Sequence, residues 1–408
     1  MGGGLLQLVA YGAQDVYLTG NPQITFFKVV YRRHTNFALE SIQQTFNGSV
    51  GYGQRVTATI SRNGDLISRA YLVLGVGSTT TKLCPYFGLR AIKHAEVEIG
   101  GQRIDKHYAD WMYIWNELSM PVGKKEGYFE MIGGAGGDLT DKSLYVPLEF
   151  WFCRNIGLAL PLIGLQYHEV KINIQFEEAG NVLNTGSTSS DAGSLTAALW
   201  VDYIYLDTDE RRKFAQSSHE YLIEQLQFTG RESATNKIKL NFNHPVKELI
   251  WVVHNPDATQ STANNNWFNY TGVQTTITDS GNAGNTYASL CTLLGPSGSA
   301  ENSVSGGKLI LNGNDRFYSR DGRYFNLVQT YQHHENVPNN AGINVYSFAL
   351  KPEEHQPSGS LNMSRIDTAV LDLQYNGGTS ATKQVSIFAV NYNVLRILSG
   401  MGGIAYSN

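Results

Sequence analysis

The residues best suited to metal chemistry are histidines and a glutamate in the second half of the chain. His333, His334 and Glu335 are adjacent, and His355 follows downstream. Imidazole nitrogens and carboxylates are common metal ligands, and some β-barrels converge them on one ion. Adjacent residues on an extended strand point to opposite faces, so His333 and His334 could not both face one metal there. The sequence therefore predicts no metal site at this cluster.

Two pairs of neighbouring carboxylates could in principle hydrolyse a glycosidic bond. They are Glu177-Glu178 and Glu353-Glu354. A glycosidase needs two carboxyl groups that flank one bond, whereas sequence neighbours diverge or lie solvated in turns. The GxxxxGK[ST], GxGxxG, GxSxG and HExxH motifs are also missing from the sequence. We therefore expect neither an enzyme nor a bound cofactor.

Cysteines and basic residues are sparse and scattered. Cys84, Cys153 and Cys291 lie far apart and form no CxxC pair. This pattern predicts neither a disulfide framework nor a zinc knuckle, and it fits a reducing compartment. The compact basic patch YRRH at residues 31–34 is flanked by phenylalanines. It could dock an acidic partner or lipid headgroups, or it could be a solvated strand end.

Overall charge and hydropathy restrict the partners further. The 31 Lys and Arg residues against 35 Asp and Glu residues give a formal net charge of −4. Binding to a nucleic acid backbone depends on an excess of Lys and Arg, so we expect no direct nucleic acid binding. The best apolar stretch, residues 156–165, is about half of the ~20 residues that span a bilayer, and Pro161 interrupts it. We expect no membrane span, and the uncharged start does not resemble a secretory signal.

The elements that position these residues are predicted to be mainly strands. Only 16% of residues are charged, while glycine reaches 42 and tyrosine 23, which is typical of short strands joined by tight turns. Strict apolar and polar alternation indicates strands at residues 95–99, 170–176 and 238–242. Helical periodicity predicts two short helices, over residues 108–118 after Asp105 and over residues 324–331 after Asp321.

The predicted elements recur in one order in both halves of the chain. Four matching blocks favour a duplicated unit over the chance likeness of two all-β halves. Each unit has about the size of an eight-stranded jelly roll. The paired blocks are 55–60 and 66–74 with 237–242 and 246–253, 97–104 with 309–317, 170–176 with 369–375, and 199–206 with 385–392.

This repeat predicts an all-β protein of two consecutive eight-stranded antiparallel jelly rolls with short helices and long surface loops. The predicted domains are an amino-terminal arm at 1–36, a first jelly roll at 37–207, a charged linker at 208–219 and a second jelly roll at 220–408. The polar stretches 179–194 and 255–307 are rich in Asn, Ser, Thr and Gly, and we expect them to run over the surface.

Long strings at both ends of the chain resemble a known family. LLQLVAYGAQDVYLTGNPQITFFK at 5–28 continues into YRRHTNF at 31–37, and the closing segments are 348–367 and NVLRILSGMGG at 393–403. These strings are similar to the termini of the major capsid proteins of nucleocytoplasmic large DNA viruses. Through the repeated strand order, the resemblance extends over nearly the whole chain, although the stretches 179–194 and 255–307 carry no matching string.

The resemblance implies a double jelly roll whose homotrimer forms a pseudo-hexagonal capsomer and tiles an icosahedral viral shell. It implies that the protein is made in the host cytoplasm and located in the virion capsid. The implied partners are neighbouring capsomers, minor capsid and penton proteins, and an internal viral membrane. The apolar arm then becomes an assembly element, and its candidate residues are Leu5, Leu6, Leu8, Val9, Lys28, Arg32 and Arg33. A carbohydrate-binding β-sandwich or a jelly-roll glycosidase is the alternative, because this architecture also hosts lectins and enzymes.

Overall fold

The computed structural model describes residues 2–77, 83–183, 192–255, 267–271, 286–294, 301–377 and 382–407. The chain divides into two compact units, Met1–Asn36 and Phe37–Asn408. The small unit carries two short helices, α1 (Gly3–Val9) and α2 (Val16–Thr19), and none of their residues is buried.

The described strands up to residue 206 form two antiparallel sheets in the large unit. One sheet has the order β1-β10-β4-β7, with β8 paired to β4, and the other has the order β2-β3-β9-β5-β6. The strands are β1 (Phe37–Gln44), β2 (Phe46–Asn47), β3 (Arg55–Thr59), β4 (Leu66–Val76), β5 (Ile92–Ile99), β6 (Gln102–Tyr108), β7 (Ser143–Leu148), β8 (Leu160–Pro161), β9 (Val170–Phe176) and β10 (Leu195–Leu206).

The described strands after residue 218 repeat this plan. One sheet has the order β11-β20-β13-β17, with β18 paired to β13 and β21 to β20, and the other has the order β12-β19-β14-β15, with β16 paired to β14. The strands are β11 (His219–Ser233), β12 (Lys237–Leu240), β13 (Pro245–His254), β14 (Val304–Leu311), β15 (Asn314–Asp315), β16 (Arg320–Asp321), β17 (Asn344–Ser347), β18 (Leu361–Asn362), β19 (Ala369–Tyr375), β20 (Gln384–Leu398) and β21 (Met401–Ile404).

The two halves match in register as well as in strand order. In the first half the pairing of β4 with β10 skips one residue, Ser68, between the pairs Ile67–Tyr203 and Arg69–Asp202. In the second half β13 and β20 skip Lys247 at the same place, between the pairs Val246–Asn391 and Glu248–Val390. A bulge shared at one position of a ladder is a feature of a duplicated unit. The predicted fold of two jelly rolls is confirmed, with short additional strands around eight principal strands in each.

The shared register sets which residues of the two halves are equivalent. Counting from the bulge, the Tyr71–Trp200 pair of the first half occupies the position of the Ile250–Phe388 pair in the second half. On the edge strands, Gln43 of β1 opposes Trp200, and Phe228 of β11 opposes Phe388. These equivalences allow the surroundings of one sheet to be compared directly with those of the other.

The helices of the large unit include both predicted ones and several that the sequence did not reveal. Helix α4 confirms the first prediction, but Asp105 does not begin it, because Asp105 lies in β6 and helix formation starts at Ala109. A π-helical turn (Tyr324–Val328) leading into α9 confirms the second. The helices are α3 (Phe87–Arg90), α4 (Ala109–Ser119), α5 (Val122–Met131), α6 (Trp151–Arg154), α7 (Thr208–Gln216), α8 (Tyr287–Leu294) and α9 (Gln329–His333), with 3₁₀ turns at Ile156–Leu158, Leu162–Gly164, Ala179–Asn181 and Met363–Arg365.

The sequence does not predict helices α5 and α7, because these helices bury few side chains. Helix α7 occupies most of the predicted linker 208–219 and has no buried residue, and its sequence TDERRKFAQ shows no apolar stripe. Helix α5 buries only Lys125 and Phe129. The domain boundaries at 207 and 219 stay a prediction, since one continuous hydrophobic cluster takes in residues from both halves.

Parts of the predicted surface loop 255–307 are buried. Phe268 and Tyr270 are 2% and 0% exposed, and the Phe268 ring stacks on Tyr113 of α4 with centroids 4.7 Å apart. Strand β14 already begins at Val304, and α8 also falls inside the stretch. Because the stretch as a whole is polar, its composition did not predict that Phe268 and Tyr270 are buried. Residues 256–266, 272–285 and 295–300, and 184–191 of the other predicted loop, lie outside the described residues.

Candidate functional site: surfaces for assembly

The amino-terminal unit carries all seven residues that the sequence singled out for assembly. Helix α1 holds Leu5, Leu6, Leu8 and Val9, and these side chains are 58%, 65%, 81% and 70% exposed. Lys28, Arg32 and Arg33 are also exposed and lie further along the chain, in a stretch without regular secondary structure. The unit therefore presents an apolar helix and a separate basic stretch with exposed aromatic neighbours, Phe26, Phe27 and Tyr31.

An aromatic contact joins the two halves of the large unit. Trp111 of α4 lies 5.8 Å from Phe388 of β20, measured between ring centroids. Phe388 stacks on Phe228 of the edge strand β11 at 4.7 Å, and Phe228 in turn meets Tyr108 edge-on at 4.8 Å. Trp111 and Phe388 are buried. The outer face of the β11-β20-β13-β17 sheet is thus covered by β6 and α4 of the first half.

A partly buried polar cluster lies beside this contact. Asp110 accepts a hydrogen bond from the Tyr270 hydroxyl at 2.8 Å and pairs with Arg231 at 3.2 Å. Burial alone would raise the pKa of Asp110, but His254, Arg231 and the Tyr270 hydroxyl hold that pKa below its ordinary value. Because Asp110 belongs to α4 and its partners follow residue 230, the cluster fastens one half to the other.

The same cluster contains a serine and a histidine within hydrogen-bonding distance, the kind of pair that nucleophilic enzymes use. Ser386 Oγ lies 2.9 Å from His254 Nε2, and Asp110 Oδ2 lies 3.9 Å from that same nitrogen. In a catalytic triad the carboxylate holds the other ring nitrogen, and the serine is accessible to substrate. Ser386 and His254 are both fully buried. The arrangement is suited to packing between the halves and not to acyl transfer.

A second buried cluster surrounds His334. Its Nε2 lies 3.0 Å from Glu248 Oε2, and its Nδ1 lies 2.7 Å from Glu353 Oε1. Burial alone would lower the pKa of His334, but the two carboxylates raise it from 6.5 to about 9. Burial likewise opposes ionisation of Glu248, yet His334 and Lys247 hold the Glu248 pKa below its ordinary value. The imidazole is therefore protonated between two carboxylates at neutral pH.

A third ionic cluster connects the halves through Arg154 of α6. Its Nη1 lies 3.0 Å from Glu224 Oε2 on β11, and Lys247 Nζ lies 2.8 Å from Glu224 Oε1. The Arg154 guanidinium also stacks over the Trp115 ring, 4.0 Å from its centroid. Lys247, the bulge residue of β13, donates to the carbonyl of Pro352 as well. Each of these buried charges has a partner, as burial requires.

Several of the residues weighed above for metal or acid–base chemistry instead lie in hydrogen bonds and ion pairs. His333 ends α9 and its Nδ1 lies 2.9 Å from the Leu350 carbonyl, so it does not join His334 at a common point. Glu177 pairs with Arg90 at 3.5 Å, and Glu354 pairs with Lys351 at 2.8 Å. Over the described ranges, no group of three His, Cys, Asp or Glu side chains is arranged to hold a metal ion.

Two of the three cysteines are described, and both are unpaired thiols. Burial raises the pKa of Cys84 to about 12 and that of Cys153 still further. Such thiols are poor nucleophiles at neutral pH. The Cys291 side chain lies outside the described part of the chain. Within that part, no helix is both long and apolar enough to cross a bilayer.

A half-exposed aromatic surface covers the outside of the β1-β10-β4-β7 sheet. Tyr71 stacks on Trp200 with centroids 6.5 Å apart and ring planes 4° apart, and Tyr145 lies 6.3 Å from Tyr71. Tyr145 is 44% exposed. Sequence analysis did not select these residues. The sequence feature that indicates this surface is the near-continuous apolar stretch at 66–74. A strand with one solvent-exposed face would alternate apolar with polar residues.

Comparison with known families and structures identifies the kind of protein that carries these surfaces. Residues 210–403 match the family described as large eukaryotic DNA virus major capsid protein, and residues 25–207 match the family described as major capsid protein N-terminus. In fold, the chain is similar to the PBCV-1 VP54 crystal structure, with a TM-score of 0.80 and 43% identity over 94% of this chain and 100% of that one. The Faustovirus major capsid protein, 14% identical, shares the fold with a TM-score of 0.72 over 95% of this chain and 94% of that one.

Full-length relatives give the same result. The major capsid protein of Pyramimonas orientalis virus is 54% identical, and that of Paramecium bursaria Chlorella virus 1 is 47% identical, each over the whole of both chains. These matches do not favour the carbohydrate-binding or glycosidase alternative. The confirmed jelly rolls, the resemblance of both termini and the two family matches lead to one conclusion. The chain belongs to the large eukaryotic DNA virus major capsid protein family and is a structural protein of the virion capsid.

Proposed function

We propose that the protein forms a homotrimer that serves as a pseudo-hexagonal capsomer of an icosahedral shell. The observation that carries this proposal is the duplicated unit, whose halves match in strand order, register and bulge position. Three chains of two equivalent jelly rolls supply six similar units around one axis. A single gene product can then pack on a hexagonal lattice with closed threefold symmetry.

The further partners follow from family membership and from the exposed amino-terminal unit. We infer contacts with neighbouring capsomers, with minor capsid and penton proteins, and with an internal viral membrane, after synthesis in the host cytoplasm. An apolar helix and a basic stretch are suited to a partner that offers apolar surface and negative charge. The net charge of −4 supports an arrangement without direct nucleic acid binding. That the protein has no enzymatic activity stays a prediction.

The trimer can be tested on the purified full-length protein. Sedimentation at micromolar concentration should give a mass three times that of the 45.1 kDa chain, and electron microscopy should show particles with a hexagonal outline. An obligate interface of this kind buries roughly 2,000 Å² or more, so the trimer should be the main species at micromolar concentration. A stable, folded monomer at micromolar concentration would contradict the proposal, and glycan binding by such a monomer would support the carbohydrate-binding alternative.

The arm is proposed to be an assembly element that acts through Leu5, Leu6, Leu8, Val9, Lys28, Arg32 and Arg33. Deletion of residues 2–20 should leave both jelly rolls folded, because every strand of the large unit begins at or after Phe37. Circular dichroism and the melting temperature should stay unchanged, whereas the yield of complete, membrane-lined particles should fall.

Two substitution variants separate the contributions within the arm. Changing the four apolar residues of α1 to serine keeps the chain length and removes only the apolar surface, and changing Lys28, Arg32 and Arg33 to glutamine removes only the charge. A matched control is Tyr167→Ser, which changes an aromatic residue of the large unit that is 75% exposed. Normal particle yield from both arm variants and from the deletion would show that the arm has no role in assembly.

A further inference from the structure

Positive charge is concentrated on one outer sheet face of the first half. We propose that an extended acidic segment of another protein, with carboxylates at alternate positions, binds along β6 and the outer face of the β2-β3-β9-β5-β6 sheet. The inference goes beyond the proposed trimer and does not depend on it. It rests on a cluster of cations, on the spacing of two arginines and on a cleft beside them.

Three cations surround one carboxylate on this face. Glu96 of β5 lies 3.0 Å from Arg55 of β3 and 3.0 Å from Lys106 of β6. Arg103 of β6 lies 3.9 Å from the same carboxylate. The Glu96 side chain is only 9% exposed, so the cations enclose it. One carboxylate cannot neutralise three cations, and the cluster keeps an excess of positive charge on a chain whose net charge is −4.

The neighbouring charges on this face do not cancel that excess. Glu98 accepts a hydrogen bond from the Asn173 side chain at 3.1 Å, and Lys171 pairs with Glu169 at 3.4 Å. When these residues are counted with the cluster, cations still outnumber carboxylates. Asp105 follows the alternation of β6 to the opposite side, where it is buried and pairs with His107 at 2.9 Å.

The His94 imidazole responds to this charge. It lies 3.7 Å from Glu96, and a nearby carboxylate raises the pKa of a histidine. Burial nevertheless lowers the pKa of His94 from 6.5 to about 4, and Lys106 lowers it further and outweighs Glu96. Arg55 and Lys93 act in the same direction as Lys106. His94 is therefore neutral at pH 7, in surroundings that are positive despite the adjacent carboxylate.

The equivalent sheet of the second half has a different charge arrangement. Counting from the turns of the equivalent hairpins, Glu96 corresponds to Lys308 and Arg103 corresponds to Asp315. Lys308 and Asp315 pair with each other at 3.1 Å. A jelly roll of this design therefore does not require three cations around one carboxylate, and the cluster is a feature of the first half that the fold alone does not explain.

A cleft of about 450 Å³ opens beside the cluster, between the two halves. Arg103, Lys106 and Tyr108 line it from β6, which is the edge strand of its sheet. Asn241 and Asn243 line it from the stretch after β12, and both are exposed. Their side-chain amides form no hydrogen bond among the described residues. Amides both donate and accept, so they are suited to the backbone of a bound segment.

The spacing of the two arginines fits an extended chain. Arg55 and Arg103 are 55% and 65% exposed, and both guanidinium groups reach the same carboxylate. Carboxylates at alternate positions of an extended segment lie ~7 Å apart on one side, which suits two cations separated by one carboxyl group. Arginine binds carboxylates through directed hydrogen bonds, and arginine clusters recognise acidic motifs. Lys106 is 21% exposed at the cleft, where a narrow chain reaches it and a planar lipid surface does not.

Fluorescence anisotropy on the full-length protein tests this surface. The probe is a short fluorescein-labelled peptide of alternating Glu and Ser, and its Gln and Ser counterpart is the uncharged control. Only the acidic peptide should bind, and added salt should weaken its binding. Arg55→Gln combined with Arg103→Gln should weaken binding by about tenfold or more, because each arginine contributes a charge-assisted hydrogen bond. Lys106 still pairs with Glu96 in this variant, so its circular dichroism and melting temperature should stay unchanged.

The matched control is Lys237→Gln combined with Lys239→Gln. It removes the same charge from exposed positions of β12, the strand equivalent to β3, and should leave binding unchanged. Equal weakening by both pairs of substitutions would overturn the proposed surface, because it would indicate attraction by net charge alone.

Other occupants give different results. Tighter binding of heparin oligosaccharides or of anionic lipid vesicles than of the peptide, lost on substitution of the two arginines, would overturn the acidic segment in favour of a polysaccharide or a membrane. Self-association that the same substitutions abolish would overturn it in favour of a second copy. Sedimentation of the same samples separates this inference from the proposed trimer. A trimer that does not bind the acidic peptide would overturn the binding surface and leave the trimer intact.

Discussion

Replacing His334 with glutamine is expected to lower the free energy of unfolding by about 3–5 kcal/mol, which is the usual effect of removing one partner of a buried ion pair. The His334 side chain is fully buried and lies 3.0 Å from Glu248, which is also fully buried. Glutamine keeps a hydrogen-bonding side chain but removes the positive charge between Glu248 and Glu353. The Glu248 carboxylate would then keep only the weaker influence of the Lys247 and Arg154 charges, at a fully buried site.

The pH dependence gives this prediction a distinct signature. The pKa of His334 is raised from 6.5 to about 9, so its contribution to stability is complete below about pH 6.5 and is lost as the pH rises through about 9. The pKa of Glu248 is lowered, so its contribution is present above its ordinary value of 4.5 and is lost as the pH falls. The difference in stability between the natural protein and His334→Gln should therefore shrink as the pH is raised from about 7 to about 10.

A nearby exposed ion pair provides the control. Lys351 and Glu354 lie 2.8 Å apart, but their side chains are 67% and 57% exposed. Lys351→Gln should change the free energy of unfolding by less than about 1 kcal/mol. Unlike the effect of His334→Gln, this change should not be larger near neutral pH than at higher pH. Urea unfolding at one protein concentration is the measurement, because association adds to apparent stability. Equal effects of the two substitutions would refute the role assigned to the buried cluster.

The fold was predictable from the sequence because a strand that is buried on one face alternates apolar with polar residues. Strands such as Val170–Phe176 bury one face and alternate strictly, so their positions and their repetition could be read directly. Elements with little burial left no such trace. Helix α7 is charged along its length, and its place in the chain was predicted only as a linker. Helix α4 was found, but its start was misplaced, because Asp105 resembles a helix cap and instead forms a buried pair with His107 at 2.9 Å.

The candidate surfaces were less predictable, for a related reason. The arm was found because its apolar residues precede the first strand and resemble a family motif. The aromatic face at Tyr71 and Trp200 required knowledge of which strand faces point outward, and this depends on the bulge at Ser68. Similarly, the sequence alone makes His334 a candidate metal ligand, because imidazole nitrogens are common metal ligands. Only the fold brings Glu248 and Glu353, far away in sequence, to its two ring nitrogens.

The second large effect is expected at Phe388, where the two halves meet. Phe388→Ala removes a fully buried ring that contacts Trp111 and Phe228, and it should lower the free energy of unfolding by about 3–5 kcal/mol through lost burial and a new cavity. The cavity would open between the halves, so the substitution should also increase hydrogen exchange in α4. Tyr318→Ala, at a side chain 87% exposed, should change the stability of the isolated chain by less than about 0.5 kcal/mol.

The equivalent residue of the first half separates folding from assembly. Trp200 occupies the position of Phe388 but is only half-buried in a single chain. Trp200→Ala should therefore destabilise the isolated chain by clearly less than Phe388→Ala does. If a second copy covers this face, the order reverses for association, and Trp200→Ala should weaken the trimer while Phe388→Ala acts mainly on the fold. Thermal unfolding below and above the trimer dissociation concentration measures both effects. A Trp200→Ala variant that is as unstable as Phe388→Ala when monomeric, with unchanged association, would mean that this face belongs to the fold alone.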